Sequence, residues 1–187
     1  MPRLVLSLLL LTAAGLTFSC SKPPLPDYGM VPPFTLTDSN GQPFDSQSLH
    51  GKVWVADFIY TNCPGPCPRM TSQMHRLERQ LKSAEDVRLV SFSVDPDRDT
   101  PAALTVFAHR FGGPTEQWYF LTGSPQTLHL LAREVFKVGD LIGVMDHSTK
   151  FMLVDKAGHI RGYYSTFDQD GISTLLDDLK RLRKETA

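Results

Sequence analysis

Val53-Trp54-Val55-Ala56-Asp57-Phe58-Ile59-Tyr60 is a nearly unbroken apolar run, and it stops in Thr61-Asn62-Cys63-Pro64-Gly65-Pro66-Cys67-Pro68. Continuous apolarity over this length predicts a central strand buried on both faces. Just beyond the loop, Met70, Met74, Leu77 and Leu81 recur at helical spacing and predict a helix with one apolar stripe. A buried strand feeding a packed helix is the opening of an α/β unit. Three prolines and a glycine occupy the junction; they fix φ, remove backbone donors and stiffen it. Two sulfurs are thus presented in a set geometry at the start of a helix.

The alternation continues along the chain. Phe34-Thr35-Leu36-Thr37, the turn Asp38-Ser39-Asn40-Gly41 and Gln42-Pro43-Phe44 read as a small hairpin. Val87 to Val94 is a second buried strand, after which Thr100 and Pro101 are an N-cap and first helical residue. That helix carries Leu104, Phe107, Ala108 and Phe111 and ends at Gly112-Gly113-Pro114. Trp118 to Leu121 is a third strand, and Ser124-Pro125 opens a helix that runs through Leu128, Leu131, Ala132, Val135 and Phe136. Phe151 to Val154 and His159 to Tyr164 flank the turn Asp155-Lys156-Ala157-Gly158, and Leu175, Leu176, Leu179 and Leu182 stripe a terminal helix. This α/β order predicts a mostly parallel sheet with an antiparallel end, preceded by an N-terminal β-hairpin. With a cysteine pair at the first strand-to-helix turn, it resembles a thioredoxin-like fold, a central mixed sheet flanked by helices. At 187 residues and 41% hydrophobic, the chain suits one such domain, 34–187.

The N-terminus is a separate object. Arg3 precedes an apolar run from Leu4 to Leu16, too short for an ordinary spanning helix and typical of a signal-peptide core. It ends Leu16-Thr17-Phe18-Ser19-Cys20, which resembles a bacterial lipobox, with Thr17 where leucine is commoner. Residues 1–19 are read as a lipoprotein-type signal peptide, with Cys20 lipidated. The alternative is an uncleaved N-terminal anchor; both place the domain on the periplasmic side of a bacterial membrane. Residues 20–33 carry five prolines and form an extended, semi-rigid tether. Two cysteines then remain in an oxidising compartment, enough for one pair and not for a disulfide framework. Formal net charge is −1 and no basic stripe runs along a predicted helix, so nucleic acid is not an expected partner.

Cys67 precedes Pro68 at the helix start, so backbone N–H groups and the helix dipole are expected to favour its thiolate. Helical residues four apart have Cβ atoms about 5–6 Å apart, whereas a relaxed disulfide needs roughly 3.5–4.5 Å. Thiolates sharing one metal at about 2.3 Å each stand further apart. The spacing leans towards metal and leaves a redox disulfide open; a purely structural staple closing so small a loop contributes little. Met70 and Met74 belong to the core stripe and not to a ligand set.

Thioredoxin-type oxidoreductases carry a cis-proline facing the cysteines, just before the strand after the third helix. The corresponding place here reads Met145-Asp146-His147-Ser148-Thr149-Lys150, and no proline follows Pro125. His147 stands instead. His50, His75, His109, His129 and His159 fall on helices or turns away from the cysteine loop. Two thiolates and an imidazole form a soft set suited to Cu(I) and incomplete for zinc, for which Asp95 or Asp146 would have to supply a fourth ligand.

Tyr60-Thr61-Asn62-Cys63-Pro64-Gly65-Pro66-Cys67-Pro68 resembles the signature of the Sco/SenC copper-binding proteins. So do Ser93-Val94-Asp95-Pro96-Asp97-Arg98-Asp99-Thr100-Pro101 and Asp146-His147-Ser148 ahead of a strand. The resemblance runs from about Pro33 to the C-terminus, with Asn62 where many members have histidine. It implies copper, as Cu(I) or also Cu(II), held by Cys63, Cys67 and His147, with Asp95 tuning the site or facing a partner. It implies a monomeric assembly factor, a metallochaperone and not an enzyme, serving the dinuclear copper centre of cytochrome c oxidase subunit II. A periplasmic copper donor or thiol–disulfide reductant would be a further partner. The alternative is a thiol–disulfide oxidoreductase that keeps the oxidase cysteines reduced, with Cys63 and Cys67 as the redox-active pair. A peroxidase-like role would need an isolated reactive cysteine, and here the second is four residues away.

Overall fold

The computed structural model describes residues 22–138 and 149–185. The apolar run after Asp86 and the one before Thr61 become paired neighbours. β3 (Val53–Ile59) is buried at every position and runs parallel to β4 (Val87–Ser93), from Val53 opposite Val87 to Ile59 opposite Ser93. β5 (Trp118–Thr122) extends this parallel set on the far side of β4. The crossovers are α1 (Cys67–Leu81) and α2 (Pro101–His109).

Among the described residues parallel pairing is confined to these three strands, where the order of elements predicts a mostly parallel sheet. Both edges are antiparallel. β1 (Thr35–Asp38) pairs with β5 and with β2 (Pro43–Asp45), so the N-terminal hairpin extends the sheet. β6 (Lys150–Val154) pairs with β3, and β7 (Ile160–Ser165) with β6. The order is β2-β1-β5-β4-β3-β6-β7. The β1–β2 turn is closed by the Asp38 carboxylate, which accepts from Asn40 N and Gln42 N at 2.8 Å each, and by Gly41 at φ 79°.

Alternation along β3 divides the core in two. Val53, Val55 and Ile59 face α1, α2 and α4 (Gly171–Lys184), meeting Met70, Met74, Leu77 and Leu179. Trp54, Ala56 and Phe58 face the hairpin and α3 (Pro125–His129), meeting Phe34, Leu128 and Phe136. Each such side chain contributes on the order of 2 kcal/mol by leaving water. The proline-led helices start as their sequences predict: Thr100 accepts from Ala103 N at 3.3 Å and Ser124 from Thr127 N at 3.1 Å. α3 differs in its second half, which widens to a π-helical stretch over Leu130–Val135, with Phe136 N bonded to Leu131 O at 2.8 Å. Widening keeps Phe136 on the same face as Leu131, where it packs edge-on against Trp54 and Phe58.

Residues 22–33 lie along the domain. Tyr28 N bonds Ile160 O and Val31 N bonds Gly158 O, both at 2.9 Å. Arg161 donates to the carbonyls of Pro26 and Leu25 at 2.8 Å, and Arg181 donates to that of Pro23. Asp27 meets His159 Nδ1 at 2.9 Å, and its carboxyl is held below the usual range first by the Gly29 N–H and then by His159. The predicted signal segment and Cys20 lie outside the described residues. No helix among the described residues is long and apolar enough to cross a membrane.

Candidate metal and thiol site

β3 carries the chain up through the sheet, and Tyr60 leads directly into the cysteine loop. Cys63 N donates to Tyr60 O at 3.3 Å, which curls the loop, and α1 begins at Cys67 with Pro68 in its first turn. No side-chain oxygen caps this helix. The Cys63 sulfur takes that place, accepting from Cys67 N at 3.5 Å. Both cysteines are free thiols, 8% and 2% exposed.

This geometry reverses the expected acidity of the pair. Burial opposes ionisation at Cys63, but hydrogen bonds from the Cys67 thiol, the Cys67 and Gly65 N–H groups and the Tyr60 hydroxyl outweigh it, and the thiol lies below its ordinary value. Burial pushes Cys67 well above its ordinary value, and the neighbouring Cys63 and Asp57 push it further. The helix N-terminus therefore stabilises the sulfur that folds back onto it, Cys63, and not Cys67. Tyr60 is itself pushed up to about 12 by burial and by the cysteines beside it.

Three further residues shape the site. Asp99 is fully buried and its carboxylate gathers the loop. Thr61 N lies 3.2 Å from both of its oxygens, Thr61 Oγ1 donates at 2.6 Å, and Ser93 Oγ donates at 2.6 Å. Asp95, the predicted tuning residue, accepts from Arg98 Nη1 at 3.1 Å and is mostly covered. It also organises its own turn, with Asp99 N on its carbonyl at 2.8 Å and its N–H on Ser93 Oγ at 3.1 Å. Its negative charge is felt at Tyr60, so it combines the turn role with proximity to the site. Asp57 lies opposite Ser91 in the sheet and is fully buried; among the described residues the Ser91 hydroxyl is the one group near enough to compensate its carboxylate, and only weakly. Burial raises its carboxyl to about 7, offset only in part by Ser91, whose hydroxyl accepts from Trp118 Nε1 at 3.0 Å.

The structure thus brings Cys63, Cys67 and, through Tyr60, Asp95 into one neighbourhood. Met70 and Met74 are fully buried in the core, as their spacing predicts. His147 and Asp146 lie outside the described residues. Among the described residues, no group of three His, Cys, Asp or Glu side chains could hold a metal. The two free, shielded sulfurs fit a soft ion of low coordination, with any third ligand coming from elsewhere. Sequence reasoning missed Tyr60, Asp57 and Asp99 as parts of the site. Asp57 carried a signal, being the one charge in an apolar run. Asp99 carried none that sets it apart from exposed Asp97.

Fold and site together define a thioredoxin-like domain with a paired-thiol centre at its first strand-to-helix junction. The SCO1/SenC family model matches residues 24–184, and the chain belongs to that family. A SCO1/SenC family lipoprotein from Bacillus anthracis superimposes with a TM-score of 0.73 and 36% identity, over 83% of this chain and 95% of the other. BsSco, described as having a disulfide switch and as a member of the Sco family of cytochrome c oxidase assembly proteins, matches with a TM-score of 0.75 and 32% identity, over 88% and 100%. The copper-bound ScoI of Bradyrhizobium japonicum gives a TM-score of 0.67 and 30% identity, over 82% and 99%.

Proposed function

We propose that this chain is a copper-binding assembly factor for cytochrome c oxidase, taking Cu(I) on Cys63 and Cys67 with His147 as third ligand and passing it to subunit II. The observation that carries the reading is the pair of free, shielded sulfurs, one of them acidic, at a stiff helix start. A copper-bound structure within the family and a relative named for oxidase assembly support it. Cys20, as a lipidated residue, would hold the domain at the outer face of a bacterial membrane, and a relative described as a lipoprotein is consistent with that. The test is Cu(I) titration against a competing chelator. Wild-type protein should retain about one copper per chain, and Cys63→Ser or Cys67→Ser should lose it, since one thiolate binds far more weakly than two. Copper retention by either variant at the wild-type level would sink the assignment.

The unequal acidity of the two thiols favours a second, compatible reading. Cys63, as thiolate, attacks a disulfide sulfur of the partner, releasing the other partner sulfur as thiolate. Cys67 then loses its proton and displaces the first partner sulfur, leaving a Cys63–Cys67 disulfide. Two electrons pass to the partner's cysteines, which leave as thiolates and take up the Cys67 proton and one from solvent, and a separate reductant must restore the pair. Failure of the reduced protein to open a disulfide in the subunit II copper-site domain would exclude this reading.

A further inference from the structure

Beside the cysteine loop runs a groove of about 390 Å³ that neither metal binding nor thiol exchange uses. Thr61 and Asn62, the residues just before Cys63, line it together with Val106 and Phe107 of α2. Arg98 precedes α2 and Arg110 caps its C-terminus, so two guanidinium groups bracket the helix, and among the described residues no carboxylate lines the groove. Val106 is 57% exposed, among the few large apolar side chains left open in the described residues. Arg98 shares its charge with Asp95 at 3.1 Å. For Arg110, no described carboxylate is within ion-pair range. A nine-residue helix spans about 13 Å, which matches roughly four residues of extended chain.

We propose that this groove seats an extended, carboxylate-bearing segment of the protein partner, laid along α2 with an apolar side chain on Val106 and its acids at Arg98 and Arg110. The wall formed by Thr61 and Asn62 is continuous with Cys63, so a segment seated there brings the partner's receiving cysteines over the site. This inference rests on the reading that copper or electrons pass to a protein partner. Charge complementarity of this kind acts chiefly on encounter rate and orientation.

The test uses the full chain in detergent, with the copper-free soluble domain of cytochrome c oxidase subunit II as probe. Wild type, Arg110→Glu, Arg110→Lys and Val106→Lys are compared for their own Cu(I) affinity and for the rate of copper transfer or disulfide reduction at rising ionic strength. Arg110→Glu should slow transfer at least tenfold and flatten its salt dependence, and Val106→Lys should slow it by removing the apolar contact without flattening that dependence, with Cu(I) affinity unchanged in both; Arg110→Lys should keep most of the rate. Wild-type rates in both Arg110→Glu and Val106→Lys would overturn the proposal while leaving the function intact. A wild-type chain that neither transfers nor reduces, yet binds the domain with a salt-dependent affinity lost in Arg110→Glu, would overturn the function and support the groove. A dimer in sedimentation that Val106→Lys abolishes would assign the groove to a second copy and overturn the proposal.

Discussion

Replacing Asp57 with asparagine should change how stability depends on pH, by an amount the structure sets. In the unfolded chain Asp57 ionises near 3.8, and in the fold it holds its proton to about 7. Between those values unfolding releases a proton, so stability falls as pH rises; above about 7 the loss is complete and constant. The gap, at about 1.4 kcal/mol for each tenfold change in proton affinity, is about 4 kcal/mol. The asparagine side chain carries no charge at any pH, although its unpaired amide costs about 1–3 kcal/mol throughout. That cost is the same at every pH and drops out of the comparison. The stability of Asp57→Asn minus that of wild type should therefore rise by about 4 kcal/mol from pH 4 to pH 8 and then level off. Guanidinium unfolding followed by the fluorescence of Trp54 and Trp118, with thiols kept reduced, measures it directly. Parallel pH profiles for the two proteins would refute the claim that a buried carboxyl, held protonated by its surroundings, lies beside Cys67. Cys67 supplies an independent readout, because Asp57 raises its thiol and the variant should alkylate faster there.

Other outcomes follow from the site and its supports. Brief alkylation near pH 7.5 should label Cys63 well before Cys67, by mass spectrometry; the reverse order would contradict the placement of the thiolate. Asp99→Ala strands the Thr61 and Ser93 donors and should cost about 3 kcal/mol in denaturant unfolding, with Asp99→Asn recovering part of it; a loss below about 0.5 kcal/mol would show that the loop does not depend on this carboxylate. Met74→Ala should cost about 2–5 kcal/mol by opening a cavity while copper stoichiometry stays unchanged. Lost copper without lost stability would move Met74 from core to ligand.

Residues whose partners are local were legible in the sequence. The run ending at Tyr60, the stripe from Met70 to Leu81 and the Thr100 and Ser124 caps predict their elements almost to the residue, because hydrophobic period and capping chemistry act over one or two turns. What depended on distant partners was not. The edge position of the hairpin follows from β1 meeting β5, some 85 residues away in sequence. Asp97 and Asp99 share a turn and a residue type, and the contact with Thr61 across the fold that helps bury the second is not encoded locally. The place of Cys67 at the helix start predicts the thiolate there. It falls to Cys63 because that sulfur turns back to accept the helix's first free N–H, a reversal that linear spacing does not encode.

Copper K-edge X-ray absorption on the Cu(I)-loaded protein measures most directly whether two sulfurs and one imidazole hold the ion. Wild type should show a shell of two sulfur ligands and one nitrogen ligand, with the nitrogen lost in His147→Ala and a sulfur lost in Cys63→Ser loaded without a competing chelator. A shell without sulfur, or one unchanged in both variants, would contradict that ligand set.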